Sequence, residues 1–183
     1  WNFVVSKGAD LFERLRAMPV KLGDVADRIF QGPITSADTV FLFSEFETGS
    51  GLVFVQSRSL DRKVPIESSV LRRVIRSGNI GRYTAKPTML ALFPYHVDNG
   101  DATIIQPDEF AELYPRAWEY VTEHKRLLSE RENGKFQDRY WYRYGRSQNI
   151  GRWETRKLML PYMVSRLAGY LDTSDHFYFI NVT

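Results

Sequence analysis

The sequence predicts an α+β domain in which a twisted, mainly antiparallel, mixed sheet is flanked by helices. Three observations predict it. Short apolar runs follow one another with turn-sized connectors instead of alternating with helices, which favours antiparallel pairing over a doubly wound parallel sheet. One segment, near residues 115–132, carries a sustained helical stripe. A chain of 183 residues that is 43% hydrophobic and 26% charged has enough to bury without disulfide or metal, which excludes disorder. We read residues 1–183 as a single domain cut from a longer protein, because the last apolar strand runs to the final residue.

The elements follow in order. Residues 10–18 space Leu11, Leu15 and Met18 along one side of a short helix that Pro19 ends. Residues 25–30 and 39–43 are predicted strands, joined as a hairpin around Gly32-Pro33-Ile34-Thr35. Residues 52–56, LVFVQ, form a third strand after the loop-like Glu47-Thr48-Gly49-Ser50-Gly51. A fourth, residues 89–95, lies between Pro87 and the turn Asp98-Asn99-Gly100-Asp101, with residues 102–106 returning beside it. The long helix takes Pro115 in its first turn, and Ala117, Tyr120, Val121, His124, Leu127 and Leu128 recur at steps of three and four. Glu119, Glu123, Arg126 and Glu130 take its other face. Beyond Asn133-Gly134 come an aromatic and arginine-rich stretch over residues 136–144, an apolar strand opening at Leu158, and a last strand over residues 177–182. Trp118, Trp141, Trp153, Phe177 and Phe179 are assigned to the core.

Composition removes several classes of function. Cysteine is absent, which excludes disulfides and thiolate chemistry, and His96, His124 and His176 are scattered, so no metal site is expected. No apolar run approaches the roughly 20 residues that span a bilayer, and the first ten residues lack the layout of a signal peptide. A cytoplasmic protein without a membrane partner is the expectation. Net charge is only +3, but it is unevenly spread. Residues 58–86 hold eight basic side chains against two acids, and residues 139–157 hold six against one, whereas residues 1–57 hold five against seven. Two basic blocks are how a surface for a polyanion reads in sequence.

Four segments, in order, carry a family resemblance. They are LGDVADRIFQGPITSADTVFLF, VLRRVIRSGNIGRY with Gly78-Asn79-Ile80-Gly81-Arg82-Tyr83, the helix YPRAWEYVTEHKRLLSERE, and WYRYGRSQNIGRWETRKLMLPYM. Together they resemble the TaqI-like C-terminal specificity domain of adenine-N6 DNA methyltransferases and of fused type II restriction-modification enzymes. Pro33 departs from the pattern, standing where an aliphatic residue is commoner. The resemblance implies a module that reads double-stranded DNA beside the methyltransferase and nuclease domains of its parent. Those domains would hold S-adenosylmethionine, and magnesium where the parent cleaves; no catalytic residue and no cofactor is expected in this chain.

The candidate contacts follow from residue chemistry. Arginine and lysine anchor phosphates, arginine pairs with guanine O6 and N7, and glutamine and asparagine match adenine N6 and N7. The loop carrying Arg143, Arg146, Ser147, Gln148, Asn149 and Arg152 offers all these types in a stretch opened by two glycines and is the first choice for base contact; the alternative is a solvated basic loop with Trp141 and Tyr144 packing beneath. Arg76, Asn79, Arg82, Tyr83 and Lys86 are candidates for phosphate contact, against a charged helix face followed by a strand cap. Gln31 and Thr35 belong to a turn that the resemblance brings near DNA, although glycine and proline explain the turn by themselves. Neutralising about six phosphates would give a log–log salt slope near −5.

Pro107-Asp108 with Glu123-His124-Lys125 mimics a PD…ExK nuclease, whose magnesium chemistry needs these groups on adjacent strands. Here Asp108 reads as an N-cap and Glu123 lies inside the long helix, so a chance match is favoured. Leu160-Pro161-Tyr162 shares only two letters with an adenine-methyltransferase motif, and no glycine-rich donor loop precedes it. Asp172, Asp175 and His176 read as a polar turn between strands. A metal-dependent nuclease, an RNA-binding module and a protein-interaction domain are the alternative functions.

Overall fold

The computed structural model describes residues 9–152, 155–163 and 168–173, and the backbone of 178–179. Trp153, Asp175, His176 and Phe177 lie outside the described residues, as does the side chain of Phe179. The chain parts into two compact units, residues 1–30 and 31–183.

In the first unit, α1 (Ala9–Arg16) stops short of Pro19, whose ring cannot continue a helix, and α2 (Leu22–Val25) is a single turn. Leu11, Leu15, Met18, Leu22, Val25 and Ile29 are exposed. Residues 26–30 are irregular, so the strand expected over residues 25–30 is not formed. Among the described residues no strand pairs with this run, and an apolar run outside a sheet has no ladder to join.

The second unit opens with α3 (Asp38–Phe41), a single turn that leads into β1 (Leu42–Phe43). The strand expected over residues 39–43 is therefore mostly helical turn. Thr35 is the cause: its hydroxyl accepts the Ala37 amide at 3.2 Å and donates to the Asp38 carboxylate, which winds the chain inward instead of extending it. Next, β2 (Phe46–Thr48), β3 (Leu52–Ser57) and β4 (Arg62–Glu67) make an antiparallel meander. After it come β5 (Leu71–Ile75) and β6 (Met89–Leu92), then the hairpin β7 (Tyr95–Asp98) and β8 (Asp101–Ile104). Asn99 and Gly100 both have positive φ, as its two-residue turn requires. The return strand pairs with β7 and not with the whole of residues 89–95, because Phe93 and Pro94 separate β6 from β7.

Three helical pieces follow, α4 (Pro107–Leu113), α5 (Pro115–Glu123) and α6 (Lys125–Ser129), and then a turn over Arg131–Gly134 in which Glu132 and Asn133 are left-handed. The long helix near residues 115–132 is thus broken at His124 and again at Glu130. At His124 the ring Nδ1 donates to the Tyr120 carbonyl at 2.8 Å, while the main-chain amide turns to Val121 at 3.0 Å. The side chain has taken the carbonyl that the helix would use. Last come β9 (Lys157–Met159), β10 (Tyr170–Asp172) and β11 (Tyr178–Phe179). The order β1-β6-β5-β11 makes a four-stranded sheet, antiparallel except for β11 against β5, and β9 pairs with β10 antiparallel. This is an α+β fold with mainly antiparallel pairing, the strands of the described residues being shared among four small sheets.

The core joins these sheets to the helices through aromatic rings. Phe41, Phe93, Tyr95 and Tyr144 meet at one end, with edge contacts at 5.2–5.3 Å from Tyr144 to Phe41 and Tyr95. Phe110, Trp118, Trp141 and Tyr142 meet at the other. Each buried phenol is satisfied: Tyr142 donates to the Ile105 carbonyl at 2.5 Å, Tyr144 to Leu92 at 2.6 Å and Tyr120 to Val40 at 3.0 Å, while Tyr95 accepts the Tyr144 amide at 2.6 Å. Among the described residues, no helix is long and apolar enough to cross a membrane.

Candidate nucleic-acid interface

Arg131 organises the region that holds the candidate loop. It is buried, and its guanidinium donates to four carbonyls: Leu128 at 2.8 Å, Thr35 at 2.7 Å, Trp141 at 2.9 Å and Arg143 at 2.8 Å. The Phe136 ring lies 4.3 Å from it. Burial pushes its pKa down to about 10, so it remains cationic at neutral pH. One side chain thereby ties the Gln31–Thr35 turn, the end of α6 and the aromatic–arginine stretch together.

The turn and the loop also pair directly. Ile34 and Arg146 exchange both main-chain hydrogen bonds at 2.9 Å, the Gly145 amide donates to Thr35 at 3.1 Å, and the Asn149 side-chain amide donates to the Gln31 carbonyl at 3.0 Å. The two glycines of the loop are set by close approach. A Cβ on Gly145 would lie 1.9 Å from Ser36 Oγ, and one on Gly151 would lie 2.2 Å from the Gly100 carbonyl oxygen. Segments more than a hundred residues apart in sequence share one surface.

Placed on this frame, the candidates divide. Arg146, Ser147 and Gln148 are exposed, and among the described residues their side chains take no hydrogen bond or ion pair. Arg152, Arg82 and Lys86 are exposed as well. Arg143 is turned inward, donating to Asp138 at 2.5 Å and to the Tyr140 carbonyl at 3.1 Å, with its guanidinium 4.7 Å from the Phe136 ring. The hydrogen bond from Arg143 holds Asp138 below the usual carboxylate range. Arg76 ion-pairs with Asp38 at 2.9 Å, and Thr35, fully buried, binds the same carboxylate. Those three side chains shape the region from inside. Arg76 also closes a strand, β5, and not the charged helix face weighed from sequence.

Residues 80–86 form a small turn in which Ile80 bridges Ala85 and Tyr83 has φ 65° with 77% of its surface exposed. Its amide donates to the Gly169 carbonyl at 2.9 Å, fastening the turn to the β9–β10 hairpin. A groove of about 470 Å³ runs between the segments, lined by Gln31, Ile34, Ser77, Arg146, Tyr162 and Met163. Ser77, Tyr162 and Met163 are not among the contact candidates named from sequence. Their signal was weak: the apolar run LMLPYM continues past Pro161, where a strand would end.

No family model matches the chain. A similarity does appear to the type II restriction enzyme and methyltransferase RM.Eco57I of Escherichia coli, 24% identical over 179 residues. The chain is similar to part of a restriction-modification enzyme. The match covers 91% of this chain and 18% of that protein, so the chain spans under a fifth of the relative's length.

The nuclease-like letters fall apart in space. Gln106 occupies the N-cap of α4 and Asp108 its first turn, Glu123 is held by the Arg62 guanidinium at 2.6 and 2.8 Å, and Lys125 lies over the Trp141 ring. All three lie on or at the ends of helices, not on adjacent strands. Among the described residues, no group of three acidic or histidine side chains could hold a metal ion. Asp172 is not in a turn: it ends β10, fully buried against Lys157 Nζ at 2.7 Å.

Proposed function

We propose that this chain is the target-recognition module of a type II restriction-modification enzyme, reading double-stranded DNA for methyltransferase and nuclease domains elsewhere in its parent. S-adenosylmethionine, and magnesium where the parent cleaves, would belong to those domains. The observation that carries the reading is the Ile34–Arg146 pairing, which sets Arg146 beside Gln31 on the wall of a groove and leaves Ser147 and Gln148, next in the chain, exposed. Arginine and glutamine side chains free of internal partners are what base edges require. The similarity to a restriction-modification enzyme and the resemblance of four ordered segments to the TaqI-like specificity domain support it.

In this arrangement Arg82, Lys86, Arg146 and Arg152 meet phosphates or bases, with Tyr83 beside them, while Arg76, Arg143 and Thr35 position the loops, and Asn149 holds the turn at Gln31. Four neutralised phosphates correspond to a log–log salt slope of about −4, shallower than six would give. Fluorescence-anisotropy titration of duplex DNA at several salt concentrations measures it. Arg146→Ala with Arg152→Ala should weaken binding and bring the slope to about −2. Absence of duplex binding at low salt, or a slope untouched by these substitutions, would sink the reading.

A further inference from the structure

The β9–β10 hairpin carries an apolar step that base and phosphate contacts leave without a task. Pro161 is buried and the Tyr162 amide donates to Ser77 Oγ at 3.1 Å, so the main chain here is fastened down. The side chains that follow are not. Tyr162 is 66% exposed and Met163 82%.

Single exposed apolar side chains are ordinary on soluble proteins. Two in succession on the wall of a groove are less so, and this groove is shared with Gln31 and the exposed Arg146. The turn fastened to the same hairpin at Gly169 adds Arg82 and Tyr83, the latter in the left-handed region that a bulky side chain rarely occupies. Two exposed apolar side chains and a cation on the walls of one groove suit a partner that presents stacked apolar faces between regular negative charges. Duplex DNA has both, and apolar side chains enter it by parting a base step.

We infer that Tyr162 and Met163 act as a wedge, entering an opened step between neighbouring base pairs while Arg146 holds the flanking phosphate. This rests on the DNA-reading function above. It adds that the bound duplex is unstacked at the point where the hairpin meets it, so that sequences with weakly stacked steps are favoured without any hydrogen bond to their bases.

Parting a step costs free energy that a missing base has already removed. The full chain is therefore titrated with two duplexes of equal phosphate number, one fully paired and one with a central abasic site. The wild type should bind the abasic duplex roughly tenfold more tightly, a preference that corresponds to part of the unstacking cost. Tyr162→Ala with Met163→Ala should abolish the preference and leave the salt slope unchanged, since no cation is removed; Tyr162→Phe with Met163→Leu should restore it. Equal wild-type affinity for the two duplexes, or a preference that survives the alanine pair, overturns the wedge and leaves DNA binding standing. If the wild type binds neither duplex, the DNA-reading function falls and the wedge with it. A thermal melt of the alanine pair separates loss of the wedge from loss of the fold.

Discussion

Arg131 and Gly145 are the residues on which the candidate surface depends, and neither touches the groove. Arg131 reaches a carbonyl 96 positions earlier in the chain, and three further carbonyls accept from the same guanidinium. Arg131→Met should cost roughly 3–5 kcal/mol, read from the urea midpoint, because charge-assisted bonds to buried carbonyls are lost together. Arg131→Lys keeps the charge but not the planar fork, and should recover only part of that. Gly145→Ala drives a methyl into Ser36, whose Cβ would lie 2.5 Å away. The expected loss is about 1–3 kcal/mol, and Ser36→Gly in the same chain should return most of it, which a double-mutant cycle would measure. At this scale the sequence displayed residue types, not partners. Arg143 and Arg146 stand three apart and read alike, yet one braces Asp138 while the other faces solvent. Which arginine is free depends on an aspartate and a phenylalanine that only folding brings close.

Elements were legible where pattern and pairing agreed. The helix over residues 10–18, the LVFVQ strand and the Asn99-Gly100 turn follow from local spacing and turn chemistry, and the structure has them. Strands β4 and β5 were hidden by their charges. Arg72 and Arg73 interrupt the apolar alternation, but their guanidiniums lie 5.6 and 5.9 Å from the Phe93 and Phe46 rings, so they fit a sheet surface. The same limit applies to the β9–β10 hairpin, whose Lys157 was counted with the basic block and is buried against Asp172. Lys157→Met leaves that carboxylate buried without the lysine and should destabilise the protein by roughly 3–5 kcal/mol. Adding Asp172→Leu should recover most of the loss in the same denaturation series, since a well-packed apolar pair replaces a buried ion pair at little cost.

The molecule as a whole should show its buried phenols in alkaline solution. Burial raises the pKa of Tyr95, Tyr120 and Tyr142 above the ordinary value of about 10. Above that pH the unfolded chain sheds protons that the folded chain retains, so stability conferred by the neutral phenols is fully present below about pH 10 and is lost as pH rises further. Denaturation midpoints measured across this range should fall steeply above it. Tyrosinate absorbance for the buried set should rise with unfolding and not ahead of it. Charge behaves differently at this scale from its appearance in sequence: the two basic blocks contain Arg62, Arg76, Arg143 and Lys157, all engaged by acids, so the cations free for a polyanion are fewer than the blocks imply.

By itself the sequence determined the α+β class, the helix breaks at proline, the Asn99-Gly100 turn and the aromatic wealth of the core. These rest on local propensities and periodicities, which act within a few residues and leave a readable trace. The tertiary structure decided the rest: the kink where the His124 ring takes a main-chain carbonyl, the inward turn of Arg143, Arg76 and Thr35, the burial of Lys157, and the exposure of Tyr162 and Met163. Each of these depends on which groups meet across the chain. Burial and partnership are properties of that meeting, and residue spacing alone does not record it.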